Sequence, residues 1–249
     1  MYIRSIPDIG TFVLRMRALT LTAVCGGALL VPAPPAAAHA PDPRERAPRP
    51  AGGVQEGSVR AADLLGKVKG CAQISRGRYR TDERAPANIP VCGKGDAVYW
   101  KADMDIDCDG RSGTHCNSRT DPVFLSATAY RDSHGGALAA ESLPYVVVPG
   151  ASPIWTPAAH GIRGGTVAAI IYRNQVQYAV VGDIGPTDVI GEASYAAAVN
   201  LGINPDPVRG GAGEVTYILF KNTAVSPIES HRAAVALGEA QAKKFLAVN

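Results

Sequence analysis

The stretch VVGDIGPTDVIGEAS, residues 180–194, places two carboxylates nine positions apart around a turn. The residues that lead into it, Tyr178-Ala179-Val180-Val181, are apolar without interruption and predict a buried strand. Asp183 follows where that strand ends, and Glu192 follows the turn at Gly185-Pro186. Two acids at the rim of a rigid scaffold are what acid/base cleavage of a glycosidic bond requires.

Two other interpretations of this pair are open. Acids separated by glycines also occur in ordinary solvated loops, and Asp188, which lies between Asp183 and Glu192, is either the partner of one of them or a substrate-binding residue. Inverting hydrolysis needs one protonated and one ionised carboxyl at roughly 6.5–9.5 Å. The spacing in sequence permits that separation without fixing it.

Working outward from this stretch, the sequence predicts short strands and a few helices. The predicted strands are Ala97–Trp100, Phe124–Tyr130, Tyr145–Val148, Thr166–Tyr172, Val176–Val181 and Val215–Lys221. The predicted helices are Ala61–Lys69, Tyr195–Asn200 capped by Ser194, and one opened by a capping box at Ser226–Glu229 and running to about Leu246. Short strands broken by glycine and proline favour a β-rich α+β fold, with a barrel or compact sandwich, over a parallel βαβ fold.

The N-terminal region has the composition of an export signal. Arg15 and Arg17 precede an apolar run and the tripeptide Ala38-His39-Ala40, which predicts a signal peptide over residues 1–40. Residues 41–57 are rich in proline, glycine and charge and predict a flexible leader, and residues 58–249 then form one domain. We expect a secreted, extracellular, monomeric protein that does not associate with a membrane once the signal is removed.

The charge balance argues against a nucleic-acid partner. Residues 1–40 carry three arginines and one aspartate, so the net charge of +3 becomes 22 basic against 21 acidic side chains, or +1, without them. Five aspartates nevertheless crowd into nineteen residues: Asp103, Asp105, Asp107, Asp109 and Asp121. They form either a cleft for a cationic substrate or a solvated acidic loop.

Four cysteines remain after processing: Cys71, Cys92, Cys108 and Cys116. An even number in an exported chain predicts two disulfides with three possible pairings, of which Cys71–Cys92 and Cys108–Cys116 is the local one.

Residues 105–110 match the opening of a calcium loop, but its twelfth position is a cysteine rather than glutamate. We therefore predict neither a metal nor a cofactor, with calcium as the alternative. Tyr130 is a candidate for stacking on a sugar face, or a packing residue.

Three motifs together resemble one family. KADMDIDCDG (101–110), DPVFLSATAY (121–130) and VVGDIGPTDVIGEAS (180–194) are similar to chitosanases of glycoside hydrolase family 75, and the similarity runs from about Val91 to Phe220. The resemblance implies endo-hydrolysis of the β-1,4 bonds of chitosan with inversion. It also implies that Asp183 and Glu192 are the catalytic pair and that Asp105 and Asp107 bind substrate. We assign Glu192 as general acid and Asp183 as base, with the reverse assignment open.

A second resemblance concerns the fold. The D-x-G-P string, followed by an apolar pair and a serine-led helix, is similar to the double-psi β-barrel group, which includes expansins and family 45 glycosidases. It implies a six-stranded double-psi β-barrel-like core with short helices and a C-terminal helix. It also leaves two alternative functions, an expansin-like wall-binding module and a peptidoglycan lytic transglycosylase. Gly191-Glu192-Ala193 departs from that group and favours the chitosanase.

Overall fold

A computed structural model describes residues 55–248. The signal peptide predicted for residues 1–40 and nearly all of the leader predicted for residues 41–57 lie outside the described residues. The elements in chain order are α1 (Ala61–Lys67), β1 (Ala72–Gln73), β2 (Cys92–Lys94), β3 (Ala97–Asp107), β4 (Tyr145–Pro149), a short 3-10 helix (Pro157–His160), β5 (Val167–Tyr172), β6 (Gln175–Gly185), β7 (Glu192–Ser194), α2 (Tyr195–Leu201), β8 (Ala212–Phe220) and α3 (His231–Val248).

Six of these strands close into a barrel. Their order is β3-β7-β4-β6-β5-β8, and β8 returns to pair with β3. The β3–β7 and β4–β6 pairs are parallel, and the other pairs around the barrel are antiparallel. The small strands β1 and β2 extend the sheet from β3. The predicted β-rich fold with a six-stranded barrel core and a C-terminal helix is confirmed.

Both faces of the barrel sheet are covered, which explains why its strands are apolar at nearly every position. One set of alternating side chains, including Tyr178 and Phe220, packs with α1 and α3, and Phe245 of α3 lies in this cluster. The opposite set, including Trp100 and Tyr217, packs with α2. Trp100 and Tyr217 stack with ring centroids 5.5 Å apart, so this tryptophan is a core residue.

Of the two predicted helix caps, the structure confirms the one at the start of α2 and contradicts the one proposed for α3. Ser194 Oγ accepts a hydrogen bond from Ala197 N at 3.3 Å, which confirms the predicted cap, and Gly202 ends α2 in the left-handed conformation. The predicted capping box at residues 226–229 is wrong, because α3 begins at His231. Ser230 Oγ accepts from Ala233 N at 3.3 Å, while the Glu229 carboxylate accepts a hydrogen bond from Ser133 N at 3.1 Å.

The strand predicted over Phe124–Tyr130 is also wrong, because this segment is a loop. Two of its backbone donors bind carboxylates rather than a neighbouring strand. Leu125 N donates to Asp109 Oδ1 at 2.7 Å, and Ala129 N donates to Asp183 Oδ1 at 2.8 Å. The loop is therefore folded over the acids at the ends of β3 and β6.

Two disulfides hold the irregular segments. Cys71 is bonded to Cys92, next to β1 and β2, and Cys108 is bonded to Cys116, directly after β3. The second bridge pins the loop that carries the acids following β3.

Within residues 55–248 no helix is both long and apolar enough to cross a membrane.

Candidate active site

The barrel topology brings the two acidic motifs together. The parallel register of β3 and β7 places Asp105 opposite Glu192. On the other side of β7, β4 pairs Val146 with Ala193, and its next residue Val147 pairs with Asp183 of β6. Asp183 and Glu192 therefore lie on the two strands that flank β4. Neighbouring strands are about 4.8 Å apart, so the two backbones are about 10 Å apart.

Both acids line one open cleft of about 320 Å³. Val147 forms part of its floor between them, and the turn at Gly185-Pro186 forms one wall. The cleft contains five carboxylates: Asp107, Asp109, Asp121, Asp183 and Glu192. An acidic cleft of this kind attracts a cationic substrate.

Asp183 is 7% exposed and is held by two backbone donors. Its Oδ1 accepts from Ala129 N at 2.8 Å and from Ile184 N at 2.7 Å. Burial raises the pKa of Asp183, while these two hydrogen bonds act in the opposite direction. Because N–H donors favour the ionised form, this carboxylate is suited to accept a proton.

Glu192 differs from Asp183 in that neighbouring carboxylates add to the effect of burial on its pKa. Burial raises its pKa to about 7, and the negative charges of Asp105, Asp109, Asp183 and Asp103 contribute in that order. Gly185 allows the close approach of its carboxylate, because a Cβ at position 185 would lie 2.6 Å from Glu192 Oε2. A carboxyl that holds its proton up to about pH 7 is suited to donate it.

Asp107 and Asp109 complete the acidic end of β3. Asp109 N donates to Asp107 Oδ1 at 2.6 Å, and burial raises the pKa of Asp107 well above its usual range, with further contributions from Asp109, Asp183 and Glu192. Burial also raises the pKa of Asp109, to about 6. Charges this close do not all ionise together at mildly acidic pH.

The structure separates the predicted site residues into two groups. Asp107, Asp183 and Glu192 share the cleft, and Asp105 is an exposed residue of β3 paired with Glu192. Asp188 lies outside the cleft lining and is paired with Arg80, with 3.4 Å between Oδ2 and Nε.

Tyr130 lines a second cavity next to the cleft rather than the cleft itself. Asp109 and Asp121 also line the cleft. The sequence predicts them as members of the aspartate cluster and not individually as site residues. The signal that could have found Asp109 is its place directly after the D-x-D-C string. No group of three or more His, Cys, Asp or Glu in the described part of the chain could hold a metal ion.

Comparison with known proteins identifies one family. A family model described as fungal chitosanase of glycosyl hydrolase group 75 matches residues 104–247, more than half of the chain. Endo-chitosanase C of Aspergillus oryzae is 30% identical over 167 residues, covering 64% of this chain and 41% of the relative. An endo-chitosanase of Aspergillus fumigatus is 33% identical over 101 residues, covering 38% and 42%.

The chain thus spans about two fifths of the length of these two relatives. Among solved structures, the Streptomyces papain inhibitor aligns with a TM-score of 0.32 at 18% identity, covering 54% of this chain and 100% of that one. The family match includes the end of β3, the cleft acids and α3. This chain belongs to glycosyl hydrolase group 75, the family of fungal chitosanases.

Proposed function

We propose that this protein is a secreted endo-chitosanase that hydrolyses the β-1,4 bonds of chitosan with inversion at the anomeric carbon. The observation that carries the proposal is the placement of Asp183 and Glu192 on the two strands flanking β4, in one acid-lined cleft. Family membership and relatives that are named endo-chitosanases support the substrate class.

The electrostatics support one assignment of roles. Glu192, whose pKa is raised to about 7, donates its proton to the glycosidic oxygen as the bond from that oxygen to the anomeric carbon breaks. Asp183, held by the N–H groups of Ala129 and Ile184, accepts a proton from the water that attacks the opposite face of the sugar. The water oxygen forms the new bond, and the leaving oxygen departs as a neutral hydroxyl.

The remaining acids support binding of a polymer that carries protonated amines. Asp107, Asp109 and Asp121 line the same cleft, where the ionised members of this group attract ammonium groups and raise the local substrate concentration. Secretion rests on the predicted signal peptide over residues 1–40 and is in keeping with two disulfides.

The test is release of reducing ends from highly deacetylated chitosan by protein lacking residues 1–40. We expect the wild type to release short oligomers, and Glu192→Gln and Asp183→Asn each to lose activity by about 10³-fold, the scale of a lost acid or base. Asp96→Asn is the matched control and should retain its activity, because Asp96 is paired with Lys244 directly before β3, at the opposite end of that strand from Asp107.

Two results would contradict the proposal. Binding of chitosan without release of reducing ends would favour a wall-binding module. Near-full activity in either the Asp183 or the Glu192 variant would refute the two-carboxylate mechanism.

A further inference from the structure

A second cavity of about 280 Å³ opens beside the acidic cleft. Its volume is close to ~300 Å³, the lower limit that is typical of small-ligand sites. Its walls are mainly apolar and aromatic and include Tyr130, Val148, Pro149, Pro157, Ile162 and Ile184. Ile184 directly follows Asp183, is 46% exposed and lines both cavities. The second cavity therefore adjoins the reacting centre of the proposed enzyme.

The two cavities differ in charge. The cleft contains five carboxylates, whereas none of the described residues that line the second cavity is acidic. The charged side chain in its lining is the cation Arg163. An ammonium group would be repelled there and would lose hydration against apolar walls without gaining a carboxylate partner.

The aromatic wall of this cavity is held in place from two sides. The Tyr130 ring lies directly on Gly164, where any Cβ would collide with the ring. On the other side, Thr128 Oγ1 donates a hydrogen bond to Tyr130 O at 2.6 Å. The wall is thus formed in advance, which lowers the cost of binding a small group against it.

We propose that this cavity receives the acetamido group of an N-acetylglucosamine unit flanking the bond that is cleaved. The inference rests on the proposed chitosanase activity and adds a specificity to it. The cleft selects glucosamine units by charge, and the neighbouring cavity accepts the neutral amide with its methyl group against Tyr130, Pro157 and Ile162. The enzyme then cleaves partially acetylated chitosan preferentially at bonds with an acetylated unit on one defined side.

The test compares fully deacetylated chitosan with a partially acetylated chitosan, and sequences the product ends by mass spectrometry. Wild-type protein should enrich N-acetylglucosamine at one of the two new ends. Ala158→Phe fills the cavity from an exposed position of the 3-10 helix and should lower the ratio of activity on acetylated to deacetylated polymer about tenfold. Ala159→Phe, on the same helix but outside the cavity, is the control and should leave this ratio unchanged.

A second variant tests the charge argument. Arg163→Glu places a carboxylate in the cavity and should replace the acetylated unit at the new end by glucosamine. Random or acetyl-free new ends from the wild type, or an equal effect of Ala158→Phe on both polymers, would overturn the inference while leaving the chitosanase assignment intact. Absence of cleavage of the deacetylated polymer by the wild type would overturn the proposed function and the inference together.

Discussion

Asp105 and Glu192 face each other in the parallel register of β3 and β7. This pairing joins the D-x-D string of one motif to the glutamate of another. Among the neighbouring charges that raise the pKa of Glu192, that of Asp105 has the largest effect. The exposed aspartate thereby helps to keep the half-buried glutamate protonated without itself lining the cleft.

The first prediction concerns the pH dependence of activity. Asp105→Asn removes a negative charge, so the pKa of Glu192 should fall from about 7 and the alkaline limb of kcat/KM should move to lower pH. The measurement is the pH profile of wild type and variant on the same chitosan oligomer, so that titration of the substrate cancels. Asp96→Asn, at the opposite end of β3, should leave the limb in place, and an unmoved limb in Asp105→Asn would refute the coupling.

The second prediction concerns stability. The pKa of Glu192 is raised from 4.5 to about 7 on folding, so its favourable contribution to the free energy of unfolding is complete below pH 4.5 and is lost as the pH rises through 7. Glu192→Gln has no carboxyl to ionise at this position. Its free energy of unfolding minus that of the wild type should therefore increase by on the order of 3 kcal/mol between pH 4.5 and pH 8. Denaturant unfolding at both pH values measures this. The same difference at both would contradict it.

The third prediction uses the close approach of Gly185 to Glu192. In Gly185→Ala the new Cβ would lie 2.6 Å from Glu192 Oε2 and 3.0 Å from Val147 Cγ1, so the carboxyl must move. A misplacement of this size should lower kcat about 10²-fold. Gly213→Ala is the matched control, since a Cβ there meets nothing within 4 Å. Equal kcat values for the two variants would show that the position of Glu192 is not constrained by the turn.

The fourth prediction separates stability from activity in the two disulfides. Chain entropy predicts a loss of about 3.3 kcal/mol without Cys71–Cys92 and about 2.5 kcal/mol without Cys108–Cys116, because their sequence separations are 21 and 8. Turnover should fall more without Cys108–Cys116 than without Cys71–Cys92, because Cys108 lines the cleft between Asp107 and Asp109. Denaturant unfolding and turnover of the two paired Cys→Ser variants measure both effects. A greater loss of turnover in the Cys71/Cys92 variant would contradict the prediction for activity.

Much of the barrel was predictable because its strands have local signals. The apolar runs that became β4, β5 and β6 are buried on both faces, and the Ser194 cap fixes the start of α2 by a hydrogen bond within one turn. The pair Asp183 and Glu192 was predictable as a motif. Its arrangement across β4 was not, because that depends on which distant strands pair.

The errors arose where side chains far apart in sequence take over backbone partners. The segment 124–130 has the composition of a strand, yet Leu125 N and Ala129 N are bound by Asp109 and Asp183. These contacts join segments far apart in the sequence, so no local pattern indicates them. The place of Asp188, which is paired with Arg80, depends on a contact of the same kind.

The most direct test of the catalytic arrangement is NMR detection of the first anomer released from chitosan. Asp183 and Glu192 lie on the two strands that flank β4 and line one cleft, and the proposed mechanism needs a water between one of these carboxyls and the sugar. We predict that the α-anomer forms first from the β-1,4 bond. Initial formation of the β-anomer would mean retention, which needs carboxyls at about 5–5.5 Å, and would contradict the assignment of Asp183 as the base that activates water.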